Sequence, residues 1–135
     1  MSTCCNRRAF LGAGAVGVSA AALTACGGGG AEDDQSRQWV SLDLEGPLKV
    51  GESTSASHQE ERILLHRTDE DQVLAFSAVC PHQGCTVGVE EDGFECPCHG
   101  SRFTLTGEWE SGPAEQGLQQ YEAELDGEDT VRLLL

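Results

Sequence analysis

Basic residues are scarce in this chain. Eight Lys and Arg face 23 Asp and Glu over 135 residues, and the formal net charge at pH 7 is −15. Phosphate contacts need Lys and Arg, so nucleic-acid binding is disfavoured. The acids are spread along the chain and form no single tail. That reads first as a solvated surface, and second as one that attracts a positively charged partner. A long hydrophobic run is lacking too. The apolar stretch from Leu11 to Ala25 is rich in Gly and Ala, and it is shorter than the roughly 20 residues that cross a bilayer as a helix. No helix of convincing length and no internal repeat follow. The length allows one domain of ordinary size and little more.

Cysteine, by contrast, is plentiful: the chain has seven. Four of them crowd into residues 80–101. That stretch reads Cys80-Pro81-His82-Gln83-Gly84-Cys85, then ten residues, then Cys96-Pro97-Cys98-His99-Gly100-Ser101. Thiolate and imidazole are the preferred ligands of zinc and of iron–sulfur centres. Two thiolates and two imidazoles, split Cys-x-His and Cys-x-x-His, suit an asymmetric diiron cluster with sulfur on one iron and nitrogen on the other. The rival reading is a structural zinc site drawn from the four Cys and two His. Two extra cysteines, each beside a Gly or Pro turn, exceed what a four-ligand zinc site needs. His58 and His66 lack cysteine neighbours and read as ordinary surface residues, and Trp39 and Trp109 read as packing residues.

Residues 80–101 resemble the Rieske iron–sulfur family, whose pattern is Cys-x-His-x-Gly-Cys, a short loop, then Cys-Pro-Cys-His-Gly-Ser. The resemblance implies one [2Fe–2S] cluster, with Cys80 and Cys96 on one iron and His82 and His99 on the other. It implies a disulfide between Cys85 and Cys98, and single-electron transfer as the activity. Ser101 stands where the family's serine donates a hydrogen bond to a bridging sulfide, which raises the potential. Phe103 stands where high-potential members carry a tyrosine that bonds a ligand sulfur. A phenylalanine has no hydroxyl to donate, so a lower potential is expected. Gly112-Pro113-Ala114 sits where the family places a third loop over the cluster, and as plain sequence it also reads as a simple turn. Pro81 replaces a frequent threonine and is expected to stiffen the first loop. Rieske oxygenases fuse this domain to a much larger catalytic domain, for which 135 residues leave no room.

The amino terminus reads as an export signal. Asn6-Arg7-Arg8-Ala9-Phe10-Leu11 resembles the twin-arginine signal, a route for folded cargo, and a cluster is inserted before export. Leu23-Thr24-Ala25-Cys26 resembles a bacterial lipobox, with Cys26 as the lipidated residue. An uncleaved anchor helix and ordinary cleavage are the other outcomes. The expected layout is a signal over 1–25, a flexible Gly-rich and acidic tether over 26–37, and the iron–sulfur domain over 38–135. Cys4 and Cys5 leave with the signal. Without Arg7 and Arg8 the mature chain has 6 bases against 23 acids, a net charge of −17. The protein is then tethered at the outer face of the cytoplasmic membrane. Its partners are redox proteins, such as a cytochrome or a quinol-oxidising complex. The first reading is a tethered carrier or the Rieske subunit of a respiratory oxidoreductase complex. The alternative is the Rieske subunit of a quinol–cytochrome c oxidoreductase with an uncleaved anchor, against which Phe103 and the short apolar stretch weigh.

The fold class is all-β: a base of antiparallel sheets with a smaller cluster-binding subdomain over residues 80–105. Strands are expected at 39–44, 62–67, 73–79, 86–89, 94–95, 102–105, 119–125 and 130–134, with a polar loop over 51–61. A hairpin with Asp92-Gly93 at its turn is expected to fold Cys96 back beside His82.

Overall fold

The structure, a computed structural model, describes residues 37–135. The expected signal, with Cys4, Cys5, Arg7, Arg8 and Cys26, lies outside the described residues. Ten strands and no helix occur among the described residues. They are β1 (Trp39–Asp43), β2 (Ser53–His58), β3 (Glu61–Asp69), β4 (Gln72–Ser77), β5 (Gly88–Glu90), β6 (Gly93–Cys96), β7 (Ser101–Phe103), β8 (Trp109–Ser111), β9 (Gln120–Leu125) and β10 (Thr130–Leu134). One sheet has six strands in the order β1-β10-β9-β4-β3-β2, and a second has four in the order β5-β6-β7-β8. All pairings are antiparallel. The chain is all-β, with a large base sheet and a smaller sheet that carries the cysteines.

β3 and β4 join the two parts. Ile63, Leu64, Leu65 and His66 are all buried, so β3 is covered on both faces and reads as a continuous apolar run. Alternate residues then serve two cores. Ile63, Leu65, Val73 and Ala75 pack with Leu42, Val131 and Leu133 in the base. Leu64 and Phe76 turn the other way, toward Phe94, Phe103, Cys80 and Cys96. The Phe76 and Phe94 rings meet edge to face at 5.9 Å, which fixes the small sheet on the base.

The base sheet has a short seam: β4 and β9 pair at Ala75–Tyr121 and Phe76–Gln120, and the Ser77 N–H donates to the Gln119 carbonyl just beyond. A side-chain staple reinforces it. The hydroxyls of Tyr121 and Ser77 both donate to one carboxylate oxygen of Glu61.

Several expectations need correction. The polar stretch 51–61 contains a strand, β2, which pairs with β3 from Ser53–His66 to His58–Glu61. Its Ser, Thr and Ala residues line a sheet edge, where half-burial asks little apolar character. β8 was also not expected, because all three of its residues are exposed and it has no apolar face. His66 is buried, 7% exposed, not a surface residue. Trp39 and Trp109 are about two-fifths exposed, so neither is a core packing residue. The Arg132 guanidinium lies 5.1 Å from the centre of the Trp39 ring and covers it. The hairpin of β5 and β6 turns on Glu91 and Asp92, because Gly93 pairs with Glu90 as the first residue of β6. Gly93 is glycine for another reason: a Cβ there would strike the Phe103 carbonyl oxygen.

Candidate metal centre

Two loops carry the cysteines and histidines. The first leaves β4 and runs to β5, and the second joins β6 to β7. Both close in the same way. The Gly84 N–H donates to the Cys80 carbonyl at 2.8 Å, and the Gly100 N–H donates to the Cys96 carbonyl at 2.9 Å. Each closing glycine has a left-handed backbone, φ 73° at Gly84 and 70° at Gly100, which glycine adopts without steric cost. The sequences share the pattern Cys-Pro-x-x-Gly, at 80–84 and 96–100. This is a short internal repeat that sequence reading passed over. It also accounts for Pro81, which occupies the place that Pro97 fills in the second loop. Proline's fixed φ suits the first step after the cysteine.

The loops are rooted on sheet structure. The Cys80 N–H donates to the Cys85 carbonyl, and the Val87 N–H to the Ala78 carbonyl. Cys96 pairs with Ser101 across β6 and β7. A disulfide between Cys85 and Cys98 ties loop to loop, with Cα atoms 6.4 Å apart. The sulfurs of Cys85, Cys96 and Cys98 all lie within 4.8 Å of one another. Oxidised to each other, Cys85 and Cys98 are not thiolate ligands. Cys80 and Cys96 are free and buried. The His82 and His99 rings face each other edge to face, with centres 4.8 Å apart. His82 is half-buried and His99 is exposed. The thiols therefore sit inside and the imidazoles toward solvent.

Two observations test whether this set fits a metal cluster. Nδ1 of His82 is buried and has no hydrogen-bond partner. An orphaned nitrogen of this kind is costly unless something fills its lone pair, and a metal ion does so. Burial raises the pKa of the Cys80 thiol, the neighbouring Cys96 raises it further, and the backbone N–H groups of His82 and Gln83 oppose the rise. A pair of buried thiols is at ease as thiolates only beside a cation. The set fits a cluster held by two sulfurs and two nitrogens.

A third loop lies against the second. Ser101 is fully buried, and its Oγ accepts a hydrogen bond from the Ala114 N–H at 3.1 Å. Gly112, at φ 88°, rests directly on the chain at Gly100 and Ser101. A Cβ there would sit 2.6 Å from the Ser101 Cα. Gly112-Pro113-Ala114 is thus more than a simple turn. Phe103 is buried beside Cys80 and Cys96 in one apolar cluster.

These features define a site suited to an iron–sulfur cluster with mixed thiolate and imidazole ligands. A family model for the Rieske [2Fe-2S] domain matches residues 38–122. The chain belongs to that family, and its cofactor is one [2Fe–2S] cluster. Among curated relatives, the cytochrome b6-f complex iron-sulfur subunit of Chlorobaculum thiosulfatiphilum is 37% identical over 93 residues, covering 62% of this chain and 51% of the relative. The subunit of the same name from Synechococcus sp. (strain JA-3-3Ab) is 42% identical over 99 residues, covering 64% of this chain and 57% of the relative. The chain thus spans little more than half the length of these relatives. Among solved structures, the cyanobacterial plasma membrane Rieske protein PetC3 from Synechocystis PCC 6803 is similar at a TM-score of 0.57 and 26% identity, covering 71% of this chain and 98% of that one. A naphthalene 1,2-dioxygenase shares the fold at a TM-score of 0.58 and 23% identity, over 26% of its own chain.

Proposed function

We propose that this protein is an exported, membrane-tethered one-electron carrier that works with a quinol-oxidising cytochrome complex. Cys80 and Cys96 hold one iron, and His82 and His99 hold the other. The observation that carries this reading is the convergence of two like-built loops, which bring two buried thiols and two facing imidazoles together under a disulfide. When bound, the cluster supplies reversible one-electron redox chemistry. The chain's own residues hold and tune it. The paired loops and the Cys85–Cys98 bridge keep the ligands rigid, so little reorganisation accompanies each transfer. Exposed His99 marks the edge through which a partner is met. Ser101, oriented by Ala114, keeps its hydroxyl hydrogen for the cluster.

The named relatives support the cytochrome partner, since they are subunits of cytochrome b6-f complexes. Export and tethering rest on Arg7, Arg8 and Cys26, with residues 26–37 as the tether and 38–135 as the redox domain. Electron paramagnetic resonance of the reduced full-length protein, with iron counted on the same sample, tests the centre. A rhombic signal with average g below the free-electron value, and two irons per chain, is expected. A colourless protein holding zinc would sink the reading.

A further inference from the structure

We propose that Trp109 is a positioning residue for the redox centre, acting on Ser101 through the Gly112–Ala114 loop; this rests on the cluster reading above. A tryptophan on the sheet that carries the second loop needs an explanation when it is 41% exposed and packs into neither core. Its one polar atom is engaged. The indole N–H donates to the Gly112 carbonyl at 3.2 Å.

That carbonyl belongs to the residue on which the third loop turns. Gly112 has no side chain to anchor it, and its φ of 88° lies where the backbone has little intrinsic preference to stay. Ser111, just before it, pairs with Arg102, and two contacts act on Gly112 itself. On the inner side it lies against Gly100 and Ser101. On the outer side the indole holds its carbonyl. Two residues on, the Ala114 N–H reaches the buried Ser101 Oγ. A hydroxyl that accepts this bond has one lone pair committed, and its hydrogen is turned away from Ala114. The indole thus fixes the loop, the loop fixes Ala114, and Ala114 fixes the direction in which Ser101 donates. β8 places Trp109 for the task, since Trp109 pairs with Phe103 across a bulge at Arg102 and Phe103. Bulges re-aim side chains in this way.

The test is the midpoint potential of the full-length holoprotein in Trp109→Phe, which keeps a ring and removes the N–H. The cluster signal and two irons remain, and the potential falls. At a fixed solution potential the reduced-to-oxidised ratio drops roughly two- to fivefold, a part of one hydrogen bond's net worth. The Ala114 amide exchanges faster with solvent. In a Ser101→Ala background the same substitution no longer moves the potential. An unchanged potential in Trp109→Phe, or an equal shift with and without Ser101, overturns the proposal and leaves the cluster reading standing. Absence of the rhombic signal from the parent protein overturns both. If Trp109→Phe fails to retain iron, benzothienylalanine at position 109 in a Trp39→Phe background keeps the indole's shape without its N–H, and the same potential shift is read there.

Discussion

Phe103 and Ser101 stand two apart on β7, both buried. Hydrogen bonds to cluster or ligand sulfur stabilise the added negative charge of reduction. Phe103 packs with Cys80 and Cys96 yet offers no donor. Phe103→Tyr is expected to raise the midpoint potential, read by redox titration, within the Rieske range of about −150 to +300 mV. A potential left where it was would show that the ring edge does not face a ligand sulfur. His66 makes a different prediction. Burial lowers its pKa, against a smaller opposing effect of a hydrogen bond with the Glu52 backbone, and Ser53 Oγ lies 2.9 Å from its Nδ1. A histidine whose folded pKa lies below its unfolded value favours the fold fully above the unfolded value, about 6.5. That contribution drains away as the pH falls toward the folded value. The urea midpoint of the parent should therefore drop between pH 7.5 and 5.5 by more than that of His66→Gln. Parallel curves would deny His66 any part. Its burial was not legible in the sequence, because a lone histidine inside Leu64-Leu65-His66-Arg67 looks the same on an open face of a strand as on a covered one.

At the scale of elements, the loops were the most legible part and the plain strands the least. The Cys-x-His and Cys-x-x-His spacings announce their chemistry because ligand residues crowd at one place, whereas the Cys-Pro-x-x-Gly pattern the two loops share shows its meaning only once both are seen to close alike. β3, β4, β9 and β10 were readable from apolar content, while β2 and β8 were not. β2 borrows its place from β3 through backbone pairing, and its residues are small and polar. β8 owes its place to β7 and to the loop that follows it. Strands held by their neighbours' backbone leave no periodic signal in their own side chains. The bridge between the two loops is an element-level device as well. Cys85 and Cys98 lie 13 residues apart in sequence. Closing a loop of that length stabilises by about 3 kcal/mol in the chain-entropy account. Replacing both cysteines with alanine should lower unfolding stability by that order, measured by urea titration of the holoprotein, and should speed loss of iron. Unaltered stability would mean that the sheet and the metal already hold the loops. The Glu61 staple is expected to matter less. Tyr121→Phe removes one donor from a half-buried carboxylate that keeps its bond from Ser77, at a cost of about 1 kcal/mol.

Charge is the property of the whole molecule that no single site explains. Residues 37–135 hold 20 of the 23 acids, since only Glu32, Asp33 and Asp34 precede them, and 6 bases, a net charge of −14. Several of the bases are neutralised where they stand. Arg102 lies among Asp92, Glu95 and Glu110 on the small sheet, Arg37 beside Glu122, and Lys49 beside Glu52. Arg102 is also the one base between residues 79 and 117, a span with seven acids. The sheet that carries the redox loops is thus negative as a unit. Such exposed pairs add little stability. What they leave is a field, and a field acts on encounter more than on fold. A partner of net positive charge should be captured faster than an uncharged one at low salt, and the advantage should vanish as salt screens it over a Debye length of about 10 Å at 0.1 M. Stopped-flow electron transfer from the reduced protein to a basic cytochrome and to an acidic one decides the matter. The rate with the basic cytochrome should fall steeply between low and moderate salt, and the rate with the acidic one should rise. Arg102→Gln, which makes the sheet more negative, should steepen both slopes. Rates indifferent to salt would mean that the acids serve solvation alone.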